Sequence, residues 1–305
     1  MLQFRNVLCP IDFSAISAGA LTYAVTLARW YDAHLEVLHV APALDEPGVP
    51  PDAGGGEQAS PARDRVIAAV QRVAGAAGAP DLRFTALALT GRADEMIASR
   101  ARALPADLLV MGTHGRSGFN RLLLGSVTEK VLRQVTCPVL TVPPAAPDRP
   151  APPTFKVIVC ALDSSPSAVK ALHYALDLGR QAGGRVIVVH ALEYTDPEEM
   201  PEPSPFDPCH EVMADSRRRR QSWIDRARQR LQAQLAEEPT TWCEIEPIVA
   251  IDRAYKAILR HAGDAKADLI VMGAQGAGGL ELMVYGSNTQ HVLRAAACPV
   301  LTVRA

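Results

Sequence analysis

Glycine is the residue type to begin from, because it lets a main chain approach a phosphate where a side chain would stand in the way. Gly112, Gly115 and Gly125, with Ser126 after the last, are spaced as Gly, two residues, Gly, nine residues, Gly-Ser, and the same spacing returns as Gly273, Gly276, Gly286 and Ser287. A helix beginning at the closing Gly-Ser would aim its free N–H groups and the positive end of its dipole at an anion. Ser126 and Ser287 could add hydroxyl donors. One such run has an ordinary explanation, since turns between strand and helix use glycine for backbone reasons alone. Its recurrence at matching places argues for a phosphate-bearing ligand.

The elements that must position these turns are themselves repeated. Val7-Leu-Cys-Pro-Ile-Asp12 is answered by Ile158-Val-Cys-Ala-Leu-Asp163, and Thr136-Cys-Pro-Val-Leu-Thr-Val142 by Ala297-Cys-Pro-Val-Leu-Thr-Val303, so the chain is two copies of one unit. Between them runs Pro143-Pro-Ala-Ala-Pro-Asp-Arg-Pro-Ala-Pro-Pro153, whose prolines favour a stiff connector over a packed element. Domains are expected at 1–146 and 152–305. Short apolar runs near 5–11, 34–40, 82–88, 107–112 and 138–142 read as strands, and 3.6-residue periodicity near 15–31, 62–78, 92–103 and 126–135 reads as helices. That alternation predicts an α/β fold of two tandem Rossmann-like, doubly wound domains. The first helix shows its buried stripe as Leu21, Ala24, Val25 and Ala28, matched by Leu172, Ala175, Leu176 and Gly179. Ser14 and Ser165 are expected as N-caps, with Pro166 in a favourable first-turn position.

Composition bounds the function. A formal net charge of -2 names no polyanionic partner, and no apolar run is long enough to span a membrane. With no signal-peptide core read at the N-terminus, a cytoplasmic location is expected. Cys9, Cys137, Cys160 and Cys298 lie in or beside apolar strand segments and read as reduced, inert thiols. Cys209, His210 and Cys243 lack the paired spacing of a zinc site, so no metal site is expected. The stretches Ala41 to Pro61 and Glu193 to Pro208 read as loops, with a lid as the alternative. Arg217 to Arg220, Arg226, Arg228 and Arg230 read as a solvated helix face in preference to a nucleic-acid surface.

Asp12, the Gly112/Gly115/Gly125-Ser126 turn and the closing Cys137-to-Val142 strand resemble the ATP-binding subclass of the universal stress protein family, and the second copy repeats them. That resemblance implies a five-stranded parallel sheet of order 3-2-1-4-5 in each copy. It also implies ATP as the ligand, with magnesium able to accompany it, adenosine near strands one and two, and phosphates on the turn after strand four. The contacting residues it implies are Pro10, Asp12, Val40, Met111, Gly112, Gly115, Arg116, Gly125, Ser126 and Val127 in the first copy. In the second they are Asp163, Ala191, Gly273, Gly276, Gly286 and Ser287. The residues themselves allow the same geometry, because open α/β sheets bind ligands at strand carboxyl ends where the winding reverses. Asp12 could equally order the start of the next helix.

The copies differ in charge: Arg116, Arg121 and Lys130 become Ala277, Leu282 and His291, and Asn120 becomes Glu281. Tighter ATP binding is therefore expected in the first copy. Three readings follow: an ATP-binding stress or regulatory protein, a slow hydrolase or phosphotransferase using Asp12, His114 or Ser126, and a small-ligand carrier or scaffold with a diverged second copy. Neither a P-loop nor a Gly-x-Ser-x-Gly elbow is present. The apolar closing strands would be exposed sheet edges if unpaired, so they are expected to pair with each other as an internal pseudo-dimer. Homodimerisation stays open.

Overall fold

The computed structural model describes residues 2–42, 61–115, 124–144, 153–193, 210–236, 243–276 and 285–305, and for 210–220 the backbone alone. The first copy runs β1 (Asn6–Pro10), α1 (Ala15–Trp30), β2 (His34–Ala41), α2 (Pro61–Ala76), β3 (Phe84–Thr90), α3 (Ala93–Ala103), β4 (Leu108–Gly112), α4 (Ser126–Gln134) and β5 (Val139–Val142). The second repeats it as β6 (Val157–Ala161), α5 (Pro166–Ala182), β7 (Arg185–Leu192), α6 (His210–Ala236), β8 (Glu244–Ile251), α7 (Ala254–Asp264), β9 (Leu269–Gly273), α8 (Ser287–Ala295) and β10 (Val300–Val303).

All ten strands form one sheet of order β3-β2-β1-β4-β5-β10-β9-β6-β7-β8. Each half is parallel and wound 3-2-1-4-5, so the winding reverses between β1 and β4, and between β6 and β9. The halves meet where β5 and β10 lie antiparallel, with Leu140 opposite Leu301. Around that pair the contacts are reciprocal. Thr141 Oγ1 donates to the Val300 carbonyl (3.2 Å), and Thr302 Oγ1 donates to the Val139 carbonyl (3.3 Å).

Strand alternation sends the apolar residues to two cores. Val7, Cys9, Leu35 and Val37 pack with α1 and α2 on one face, alongside Ile158, Cys160 and α5, while Leu8, Leu38, Leu109 and Val159 pack with α3, α4, α7 and α8 on the other. The α1 stripe is buried at Leu21, Ala24, Val25 and Ala28. On α5 Leu172, Ala175 and Gly179 are buried, as is Leu178 at the position of buried Leu27 on α1, while Leu176 is only partly covered. Ser14 and Ser165 cap their helices, accepting from the Ser17 and Ala168 N–H groups. Arg226, Arg228 and Arg230 are exposed on α6, and Arg228 pairs with Asp225 on the same helix. Most of the two long stretches after β2 and β7, with Cys209, lies outside the described residues, as do the side chains of His210 and of Arg217 to Arg220.

Cys9, Cys137, Cys160, Cys243 and Cys298 are free thiols. Burial pushes Cys160 up to about 12 and Cys137 up to about 11, and raises Cys9 as well. A thiol's ordinary value is 9.0, so in alkali these groups ionise in the unfolded chain while staying neutral in the fold. Their folded values are raised, so the stability these groups contribute is fully present below pH 9 and is lost as pH climbs from there toward about 12. Denaturation midpoints taken from pH 8 upward check this, and a midpoint that does not fall above pH 9 contradicts it.

Candidate functional site

Each copy opens a cavity at its reversal point. In the first, about 180 Å³ is enclosed by residues that include Pro10, Asp12, Val40, Met111, Gly112, His114, Gly115, Gly125, Ser126 and Val127. In the second, about 530 Å³ is enclosed by residues that include Asp163, Ala191, Gly273, Gln275, Gly276, Gly286 and Ser287. Apart from Arg116, the sequence-expected residues of each copy thus line one space. Arg116 lies outside the described residues, as do Arg121, Asn120, Ala277, Glu281 and Leu282.

The turn brings its middle glycine against the aspartate side chain of its copy. A Cβ on Gly115 would stand 2.9 Å from Asp12 Oδ2, and one on Gly276 would stand 3.0 Å from Asp163 Oδ2. The glycine turn therefore closes directly onto the carboxylate that leaves the first strand of its copy. The far end of the turn is pinned by the Gly125 N–H, which donates to the Thr113 carbonyl (2.8 Å), and by the Gly286 N–H, which donates to that of Ala274 (3.0 Å).

Gly125 is the N-cap of α4 and Gly286 that of α8, and neither glycine supplies a capping side chain. Where the cap has no side chain, the first-turn N–H groups of a helix draw on other acceptors, and a bound anion suits them. By contrast α1 and α5, which start beside the same cavities, are capped by serine. Asp12 takes part in that cap: its Oδ1 accepts from the Ser14 N–H (3.0 Å) and Oγ (2.6 Å), and Asp163 does the same for Ser165. One carboxylate oxygen thus orders a helix start while the other faces the glycine turn.

Several positioning residues carry no signal in the sequence. Thr128 Oγ1 donates to the Gly112 carbonyl (2.9 Å) and Thr289 Oγ1 to that of Gly273 (3.1 Å), tying each uncapped helix to the end of the strand before its turn. Their repetition at matching places in the two copies was the available clue. Phe13 adopts φ 62, a left-handed conformation that disfavours bulky residues. It is packed by His39 at 4.6 Å between ring centroids and by the Arg65 guanidinium at 4.1 Å.

Lys130 corrects one part of the expected charge difference. Its Nζ lies 3.8 Å from Asp94 on α3, so it joins α4 to α3 and is not among the cavity residues. In the second copy the same helix pair is joined by Tyr255 stacked on His291 at 4.5 Å. The Lys130-to-His291 exchange is a change of helix packing. His114, the other residue that differs between the turns, has its Nδ1 within 3.0 Å of Thr113 Oγ1.

Two doubly wound halves sharing one sheet, each with a glycine turn closed on an aspartate, define a tandem protein with one cavity per repeat. The model of the universal stress protein family matches residues 3–143 and 154–304, and the chain belongs to that family. A universal stress protein of Mycobacterium tuberculosis is 28% identical over 309 residues, covering 98% of this chain and 97% of its own. A universal stress protein from Thermus aquaticus is 34% identical over 150 residues, 49% of this chain and 99% of its own. Among solved structures, a universal stress protein from Archaeoglobus fulgidus superposes with a TM-score of 0.67 at 23% identity, covering 98% of this chain and 96% of its own. No helix among the described residues is long and apolar enough to cross a membrane.

Proposed function

We propose that this protein is a cytoplasmic stress-response or regulatory protein that binds ATP, mainly in the first of two domains at 1–146 and 152–305, and signals by the conformation the nucleotide selects. The observation that carries this reading is the uncapped start of α4 standing beside a glycine turn and Asp12. Backbone N–H groups there suit phosphate oxygens, and the carboxylate suits nucleoside donors. Pro10, Val40 and Met111 supply apolar walls for a base, and Gly112, Gly115, Gly125, Ser126 and Val127 supply the phosphate end. Magnesium would travel with the triphosphate.

The pairing of β5 with β10 supports an internal pseudo-dimer, in which nucleotide at one helix start is felt across the joined sheet. Homodimerisation is a further option that leaves this pairing undisturbed.

A binding protein differs from a hydrolase in turnover. Incubation with excess ATP is expected to leave intact ATP bound, with less than one ADP released per chain over the time of a binding measurement. Continued ADP release that is abolished by His114→Ala or Asp12→Ala would instead make the protein a slow phosphohydrolase.

A further inference from the structure

The second cavity is the larger of the two, and its rim carries a glutamate that the first lacks. Asp163 lies at one end, held by Ser165. At the other, Glu193 leaves the end of β7, and its Oε1 accepts from the Ala254 N–H that begins α7 (2.5 Å) and from the Asn288 amide in the first turn of α8 (3.3 Å). This carboxylate, solvent-exposed at the rim of the cavity, thus engages the backbone start of α7 and the Asn288 side chain of α8. In the first copy the matching residue is Pro42, which has no carboxylate.

Ionised carboxylates only accept hydrogen bonds, and so do phosphate oxygens. Placing a triphosphate beside Glu193 sets acceptor against acceptor and like charge against like charge. The described residues that line the second cavity include no lysine or arginine. By contrast, the hydroxyl and amino groups of a nucleoside donate, and about 530 Å³ lies in the range of small-molecule pockets.

We infer that the second cavity takes an uncharged nucleoside in preference to a nucleotide, and that Glu193 is the residue that sets this choice. The inference rests on the reading of both cavities as adenine-nucleoside sites. It makes the two copies receptors for different phosphorylation states of one kind of ligand.

Hydrogen–deuterium exchange of the full chain reads the two sites separately, through residues 125–128 for the first copy and 286–289 for the second. Adenosine and ATP are titrated in the presence of EDTA and again with magnesium, on the natural sequence and on Glu193→Gln, which keeps an acceptor oxygen and removes the charge. Adenosine is expected to slow exchange at 286–289 at concentrations at least about tenfold below those ATP requires, and Glu193→Gln to cut that preference by about tenfold through tighter ATP binding. The inference is overturned if ATP protects 286–289 as well as adenosine does, if Glu193→Gln leaves the preference unchanged, or if neither ligand protects that segment. It is also overturned if magnesium brings ATP to 286–289 and Glu193→Gln abolishes the effect, since Glu193 would then hold the metal. Failure of ATP to protect 125–128 is a different result, and it sinks the proposed function of the first copy.

Discussion

Gly115→Val is expected to weaken ATP binding to this protein by about a hundredfold or more, while Gly276→Val leaves most of the bound ATP in place. The valine Cβ would begin 2.9 Å from Asp12 Oδ2, and its methyl groups would enter a cavity of only about 180 Å³. Either the carboxylate turns away from the nucleoside or the turn lifts from the phosphates. Gly115 is not among the residues with positive φ, so the substitution acts through this contact and not through backbone strain. The matching change at Gly276 meets Asp163 Oδ2 at 3.0 Å, which makes the two variants a fair comparison of the copies. Cavity size alone would rank the second copy first for ATP. A triphosphate, however, is selected by its charge, and Glu193 stands at the mouth of the larger space. Native mass spectrometry counts the nucleotide retained by each variant, and equal loss from both would remove the asymmetry.

Arg100→Met is expected to cost about 3–5 kcal/mol and to lower the unfolding midpoint by about 10 °C. Glu36, on β2, is 1% exposed, and Arg100 on α3 grips it with two bonds, Nε to Oε1 and Nη2 to Oε2, each 2.5 Å. Removing the guanidinium leaves a buried carboxylate without its counter-charge, and that loss exceeds what the pair contributes over an apolar replacement. The second copy shows the alternative solution, with buried Ile187 at the position of Glu36 and His261 at that of Arg100. The double variant Glu36→Ile/Arg100→Met should therefore recover most of the lost stability. Thermal unfolding followed by circular dichroism reads both effects. A single variant within about 1 kcal/mol of the natural protein would mean that Glu36 finds water or another donor when the arginine is gone.

The architecture was legible because its signals, short apolar runs for strands and a 3.6-residue stripe for helices, each occur twice. The continuous apolar run at Val7 to Pro10 and the stripe at Leu21, Ala24, Val25 and Ala28 each specify an element, and the second copy checks the reading of the first. The glycines of the turn were legible for the same reason. Contacts between side chains distant in sequence were not. Nothing in the spacing of Lys130 says that Asp94 will meet it across two helices, so a cation that looks like a phosphate partner proves to be a helix tie. Likewise, Thr128 and Thr289 are ordinary first-turn residues until the fold brings the carbonyls of Gly112 and Gly273 within reach. Glu193 reads as one acidic residue in an acidic stretch. Only the approach of α7 and α8 to the end of β7 gives its carboxylate a place in the cavity.

The central claim is that the start of α4, Asp12 and the glycine turn between them hold one adenine nucleotide. Isothermal titration of the nucleotide-stripped full chain with ATP tests it most directly. The account predicts saturable binding of one ATP per chain, lost in Gly115→Val and kept in Gly276→Val. A chain that takes up no ATP at millimolar concentration, or one whose binding survives Gly115→Val undiminished, contradicts it.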